Sequence, residues 1–117
     1  MSVRLACVDA VPTMTEQRLD ALPVTIGRGT EADLQVHDTW ASRVHCCLFE
    51  QDGLLYVRDL CSSNGTRING LVIEESVVQN GDQLTVGITT LKVSYLRLPR
   101  RSRAASINAD LAELAAL

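Results

Sequence analysis

Five side chains suited to binding an anion lie in three short polar segments of the sequence. They are Arg28, Ser42, Arg43, Ser63 and Asn64. An arginine presents a planar fork that matches two phosphate oxygens, a hydroxyl donates without adding charge, and the backbone N–H groups of tight turns add further donors. An asparagine amide has both donors and an acceptor, so it can hold a peptide main chain beside the phosphate. These residue types predict a site for a phosphorylated peptide.

The polar segments are separated by runs whose hydrophobic residues alternate with period two. The runs are Val3-Leu5-Cys7, Val44-Cys46-Leu48, Leu55-Val57 and Leu91-Val93-Tyr95. Such alternation is typical of half-buried β-strands. Turn signals such as Asn64-Gly65 and Asn80-Gly81 separate the runs at the short spacing of a β-sandwich. No segment from residue 1 to about 98 has the period of a helix.

The last stretch of the chain has a different pattern. After Pro99 it is rich in alanine and leucine, and Ile107, Leu111 and Leu114 recur at helical spacing, which predicts a short helix. We therefore divide the chain into a β domain over residues 1–98 and a helical extension over 99–117. The sequence leaves two kinds of role open for this helix, which are packing on the sandwich or forming a contact with a partner protein or a second copy of the chain.

Composition and charge restrict the class of partner. The chain has 117 residues, of which 46% are hydrophobic and 21% charged, so it is long enough for one domain with a real core. A net charge of −3 and only one Trp, two Tyr and one Phe disfavour nucleic acid, which needs basic and stacking surfaces. The N-terminus has no long apolar run, so we expect no membrane insertion and a cytoplasmic location.

Metal, disulfide and catalytic chemistry have weak support in the residue spacing. The four cysteines show no CxxC spacing, and adjacent Cys46 and Cys47 on a strand would face opposite sides, so we expect buried reduced thiols. The two histidines lack further ligands at metal-site spacing. A hydrolase triad of Ser42, His45 and Asp59 is disfavoured, because strand residues three apart face opposite sides and no GxSxG motif is present. We expect no enzyme, cofactor or metal site.

Four motifs in order carry a family resemblance. The segments VTIGRG, ASRVH, CSSNGTRING and NGDQLTVG resemble, in order and spacing, the forkhead-associated (FHA) domain, a phosphothreonine-binding β-sandwich. The resemblance covers residues 19–96, most of the chain. It implies an all-β fold of the SMAD/FHA-like type, a sandwich of two twisted antiparallel sheets, to which the predicted C-terminal helix is added.

The resemblance also implies a role for each matched residue. Arg28 would bind phosphate, Ser42 would donate its hydroxyl to it, and Asn64 would hold the peptide main chain. Arg43 would add a phosphate or peptide contact, and Ser63 would lend a hydroxyl. A second group would support the binding loops structurally. Its members are Gly27, His45, Gly65, Thr66, Asn69 and Gly70.

The function implied by the resemblance is phosphothreonine-dependent binding of a partner modified by a serine/threonine kinase, as a module of kinase signalling. Residues that follow the phosphothreonine would meet the loops at 38–41 and 87–90. One alternative from the same family is a phosphate-independent scaffold that assembles a larger machine such as a secretion system. Another is self-recognition, with phosphorylated Thr13 or Thr15 docking in the site.

Overall fold

The computed structural model describes residues 1–8 and 16–96, and all regular structure in these two ranges is β. The strands in the described residues are β1 (Ser2–Cys7), β2 (Glu16–Leu19), β3 (Val24–Gly27), β4 (Leu34–Gln35), β5 (Cys46–Gln51), β6 (Leu54–Asp59), β7 (Thr66–Ile68), β8 (Leu71–Ile73), β9 (Glu75–Val78), β10 (Gln83–Val86) and β11 (Thr89–Leu96). The predicted all-β architecture is confirmed. Within the same residues, no helix is long and apolar enough to cross a membrane.

The strands form two sheets that pack against each other. One has six strands in the order β2-β1-β11-β10-β7-β8, and the other has five in the order β4-β3-β5-β6-β9. Neighbouring strands pair in antiparallel fashion, as predicted, except that β4 runs parallel to β3. The exception has a local cause, because Asp33 accepts hydrogen bonds from the backbone N–H and the hydroxyl of Thr25, at 2.9 and 3.0 Å. This contact brings the end of the loop back beside Thr25 on β3. The following strand, β4, therefore begins opposite Ile26 and runs in the same direction as β3.

The core between the sheets follows from the period-two alternation. Side chains that are less than 2% exposed come from both sheets, among them Leu5, Leu48, Val57 and Val93. Cys46 faces this core while Cys47 is only partly buried on the other side, as the alternation predicts. The expectation that the thiols are buried is wrong for the other cysteines, because Cys7 is also only partly buried and Cys61 lies exposed in a loop. Burial raises the pKa of the Cys46 thiol to about 12, so this thiol stays protonated at neutral pH.

The second Asn-Gly pair forms the two-residue turn between β7 and β8. Asn69 and Gly70 have φ of 52° and 85°, the left-handed values that a tight hairpin turn requires. The Asn69 amide nitrogen donates to Asp82 at 3.0 Å, and its oxygen accepts from the Gln83 backbone at 2.9 Å. These contacts join the hairpin to β10. In this position the pair contacts β10 and the turn before it, and its predicted support of the binding loops stays a prediction.

Two sequence predictions fall outside the described residues. The helical extension over 99–117 is one of them, together with its proposed self-association, and the loop that carries Thr13 and Thr15 is the other. β11, a strand of the six-stranded sheet, ends at Leu96, which is also the last described residue.

Candidate functional site

Three loops meet at one end of the sandwich. We name them the Arg28 loop (residues 28–33, between β3 and β4), the Ser42 loop (36–45, between β4 and β5) and the Asn64 loop (60–65, between β6 and β7). They meet because β3, β5 and β6 are antiparallel neighbours in one sheet, so the end of β3, the start of β5 and the end of β6 lie side by side. All five anion-binding residues predicted from the sequence lie in these three loops.

Close backbone packing joins the Arg28 and Ser42 loops. The N–H of Arg28 donates to the Ser42 carbonyl, and the N–H of Gly29 donates to the Arg43 carbonyl, both at 2.9 Å. A Cβ atom on Gly27 would lie 2.1 Å from the Arg43 carbonyl oxygen, well inside van der Waals contact. Gly27 therefore allows the two loops to approach each other this closely.

The Arg28 side chain is oriented by one backbone contact. Its Nε donates to the Ala41 carbonyl at 2.9 Å. Within the described residues, its two terminal nitrogens have no protein partner, and they present the outer edge of the guanidinium fork. Since that edge matches two oxygens of a phosphate, Arg28 is held in a geometry suited to bidentate anion binding.

His45 braces the site from behind and is fully buried. Its Nδ1 accepts from the Ser42 backbone N–H at 3.0 Å, so the ring proton belongs on Nε2, which donates to the Gly65 carbonyl at 2.8 Å. The ring thus links the Ser42 loop to the Asn64 loop. The Ser42 hydroxyl is not bonded to His45, which removes the basis for a hydrolase triad. Its oxygen instead accepts from the Ser63 backbone N–H at 2.9 Å.

The hydroxyl protons of Ser42 and Ser63 and most of the Asn64 amide remain available for a ligand. In the described part of the chain, neither hydroxyl donates to a protein group. The Asn64 nitrogen donates to the Trp40 carbonyl at 2.7 Å, which leaves its oxygen and its second N–H. Asn64 already holds a main-chain carbonyl in this way, and the free half of its amide can pair with a second backbone.

A partly buried carboxylate shapes the Asn64 loop. Asp59 accepts from the Ser62 hydroxyl, from the Ser62 backbone at 3.1 Å and from the Thr66 hydroxyl at 2.7 Å. The Ser62 oxygen in turn accepts from the Gly65 N–H at 2.9 Å, and Gly65 has φ of 83°. Burial raises the pKa of Asp59, but the hydrogen bonds from Ser62 and Thr66 outweigh it and hold this pKa below its usual value. Thr66 and Gly65 therefore belong to the hydrogen-bond network that shapes this loop.

Arg43 donates to a carboxylate of the protein, whereas the terminal nitrogens of Arg28 have no such partner in the described residues. Its Nε and one terminal nitrogen donate to the two carboxylate oxygens of Glu31, at 2.9 and 2.7 Å. The pair is half exposed, with 54% of the Arg43 side chain and 51% of the Glu31 side chain open to solvent. The hydrogen bond from Arg43 lowers the pKa of Glu31 to about 2. Glu31 is a residue of the site that the sequence motifs did not reveal.

A second unforeseen carboxylate joins the Ser42 loop to the turn between β10 and β11. Asp38 is 7% exposed and accepts from the backbones of Trp40 and Ile88 and from the Thr89 hydroxyl, at 2.8, 2.9 and 2.6 Å. Trp40 and Ile88 are themselves 58% and 70% exposed. The segments 38–41 and 87–90, predicted to meet the peptide, therefore lie side by side at the edge of the site.

Comparison with protein families agrees with this geometry. The FHA domain model matches residues 24–87, more than half of the chain and the part that contains all three loops. The chain belongs to the FHA family. FHA domains are interaction modules rather than enzymes, and the described residues contain no group of three or more His, Cys, Asp or Glu side chains placed to hold a metal ion.

Two curated bacterial proteins contain segments similar to this FHA domain. An ABC transporter ATP-binding/permease protein of Mycobacterium tuberculosis, Rv1747, is 35% identical over 78 residues, which are 67% of this chain and 9% of that protein. An oxoglutarate dehydrogenase inhibitor of Corynebacterium diphtheriae is 36% identical over 82 residues, 70% of this chain and 56% of that protein. The chain thus spans about half or less of the length of these relatives.

A solved structure has the same fold and a related sequence. It was solved in a structural and functional analysis of phosphothreonine-dependent FHA domain interactions. It superposes on this FHA domain with a TM-score of 0.73 and 28% identity, covering 84% of this chain and all of the other. Phosphothreonine-dependent interaction is therefore a property of a close structural neighbour.

Proposed function

We propose that this FHA domain binds phosphothreonine in a protein phosphorylated by a serine/threonine kinase, and that it links proteins in kinase signalling without chemistry of its own. The observation that carries the proposal is the meeting of Arg28, Ser42 and Asn64 on three interlocked loops, each with hydrogen-bonding groups left over. The alternative of a phosphate-independent secretion-system scaffold has no support among the relatives described above.

Each side chain has a distinct part in the proposed complex. The Arg28 fork binds two phosphate oxygens, and Arg43 adds a further contact to the phosphate or the peptide. The hydroxyls of Ser42 and Ser63 donate to the phosphate as well. The Asn64 amide pairs with the peptide main chain beside the phosphothreonine. Because these groups are fixed by the backbone contacts between the loops before the ligand arrives, little conformational entropy is lost on binding.

Threonine is the preferred phosphorylated residue in this proposal. Its extra methyl group contributes about 0.8 kcal/mol when buried, which corresponds to a several-fold preference over serine. The β-branch also stiffens the side chain before binding. The direct experiment is to titrate an oriented phosphothreonine peptide library against the domain, with phosphoserine and unphosphorylated versions of the selected peptide. Binding that is equal without the phosphate would refute the proposal.

Replacing Ser42 with alanine is expected to weaken binding of the selected peptide by roughly 10- to 100-fold, since one charge-assisted hydrogen bond of about 1.5–3 kcal/mol is lost. The change also removes the acceptor for the Ser63 backbone N–H, which loosens the Asn64 loop. Calorimetric titration measures the affinity. Ser76→Ala is the matched control, because Ser76 lies on β9 and, among the residues that the structure describes, its hydroxyl bonds only the neighbouring Val77 carbonyl. An unchanged affinity in Ser42→Ala would exclude Ser42 from phosphate binding.

Affinity is expected to fall as the pH drops through about 6, where the phosphate dianion takes up a proton. Glu31, the carboxylate beside Arg43, does not contribute to this change, because its pKa is about 2 and it stays ionised throughout. Titrations at about pH 7.5 and pH 5 measure the effect, which is expected to be several-fold. A phosphonate analogue with a shifted second ionisation is the control, and its pH midpoint should move with that ionisation.

A further inference from the structure

The Glu31 carboxylate occupies the kind of position that a bound phosphate would take. It contacts Nε and a terminal nitrogen of Arg43 together, the same two-point geometry by which arginine binds a phosphate. It also lies against the backbone next to Arg28, because a Cβ on Gly29 would be 2.2 Å from the Glu31 Oε1 atom. A carboxylate of the protein is thus placed among the groups that the proposed function assigns to the ligand.

We propose that Glu31 is an internal competitor of the phosphate, one that occupies Arg43 in the free domain and weakens phosphothreonine binding. The inference rests on the proposed function of the site. When the phosphate binds, Arg43 exchanges the Glu31 carboxylate for the phosphate. The contribution of Arg43 to the affinity is therefore the difference between the free energies of these two ion pairs. Glu31 therefore sets the affinity of the site below the value that its arginines alone would give.

The competition does not require Arg43 to leave Glu31 completely. If Arg43 turned only its second terminal nitrogen to the ligand, the phosphate dianion would still lie close to an ionised carboxylate and be repelled by it. Protonation does not relieve this repulsion in the working range, because the pKa of Glu31 is about 2. Both arrangements predict the same direction of change when the charge on Glu31 is removed.

The opposite role for Glu31 is to position Arg43 for the ligand. If Glu31 positions Arg43, removing the Glu31 charge should weaken peptide binding, because Arg43 would lose its fixed orientation. The two roles therefore predict opposite signs for one substitution. The exposure of the pair favours the competitor, since a side chain that is about half open to solvent can exchange partners without disturbing the core.

A second ion pair provides a matched control. Arg58 and Glu75 lie on neighbouring strands of the five-stranded sheet, with Arg58 Nε 2.7 Å from a Glu75 oxygen. Their side chains are 56% and 44% exposed, close to the values for the pair in the site. Glu75→Gln therefore removes the same charge from the same kind of pair, outside the three binding loops.

The test is calorimetric titration of a library-selected phosphothreonine peptide into the wild type, Glu31→Gln, Glu75→Gln, Arg43→Ala and the double variant Glu31→Gln/Arg43→Ala. Glu31→Gln is expected to bind roughly two- to fivefold more tightly, the change that corresponds to an exposed ion pair. Glu75→Gln should bind as the wild type does. The gain should shrink in the Arg43→Ala background, because the group for which the two anions compete is then absent.

A spectroscopic readout separates competition from a general charge effect. The Nε–H signal of Arg43 in a proton–nitrogen NMR spectrum should move when peptide is added to the wild type, and it should already be displaced in free Glu31→Gln. Equal or weaker binding by a folded Glu31→Gln would overturn the inference while leaving the proposed function in place. A wild type without any phosphate-dependent binding would instead overturn the proposed function, and this inference with it.

Discussion

Replacing Arg28 with alanine is expected to reduce phosphothreonine-peptide affinity by at least about 100-fold. Two charge-assisted hydrogen bonds are lost, each contributing about 1.5–3 kcal/mol, and about 1.4 kcal/mol corresponds to a factor of ten. The fold should survive, because the side chain makes one protein hydrogen bond, to the Ala41 carbonyl, in the described structure. Titration calorimetry gives the affinity, and a melting curve checks that the variant is folded.

Two companion substitutions make the Arg28 result specific. Arg28→Lys keeps the charge but has neither the planar fork nor an Nε to bond Ala41, so it should recover only part of the affinity. Arg58→Ala removes an arginine from the five-stranded sheet outside the binding loops, and it should leave the affinity unchanged. If the peptide affinity of Arg28→Ala were within about tenfold of the wild-type affinity, Arg28 could not make the two phosphate hydrogen bonds assigned to it.

Asp59→Asn is expected to cost about 2–4 kcal/mol of the free energy of unfolding and to weaken peptide binding. An amide can replace only part of what the carboxylate accepts from Ser62 and Thr66, and each buried donor left without an acceptor costs about 1–3 kcal/mol. Thr66 is fully buried, so water cannot replace the lost partner. Because the same network fixes Gly65, the Asn64 loop should become more mobile and bind the peptide less well.

Urea denaturation across pH measures the Asp59 effect and its sign. The folded pKa of Asp59 lies below its unfolded value, so its stabilising effect is complete above the unfolded pKa of about 4 and is lost as the pH falls through the folded value. The difference in the free energy of unfolding between the wild type and Asp59→Asn should therefore become smaller at acidic pH. Asp20→Asn, which changes a 73% exposed side chain, should alter stability by less than about 0.5 kcal/mol. A wild-type-like Asp59→Asn at pH 7 would contradict the account of this network.

The sequence predicted the features of this domain that depend on local pattern. Period-two alternation identified four of the strands that form the core, β1, β5, β6 and β11, and it placed Cys46 and Cys47 on opposite faces. Ordered motifs located all three binding loops, and the supporting role that they predicted for His45 is consistent with its hydrogen bonds to Ser42 and Gly65. These features follow from which residues are neighbours along the chain, or from motifs that occur together in one family.

Features that depend on contacts between loops were not predictable in the same way. Glu31 and Arg43 are twelve positions apart, and no spacing rule for a strand or helix joins them. Asp38 binds Ile88 fifty positions away, which requires the fold to be known. The contacts of Asn69 with Asp82 and Gln83 were likewise not predictable, because they join residues thirteen and fourteen positions apart. Asn-Gly pairs mark turns without indicating which part of the fold the turn supports.

Binding of a phosphothreonine peptide by the Arg28, Ser42 and Asn64 loops can be tested on the wild-type domain itself. The most direct measurement is a proton–nitrogen NMR titration of the wild-type domain with one selected peptide in phosphorylated and unphosphorylated forms. Backbone signals of residues 28–31, 40–43 and 62–65 are predicted to shift with the phosphorylated peptide and to remain unchanged with the other. Equal shifts with both peptides, or shifts confined to the outer strands of either sheet, would contradict the claim.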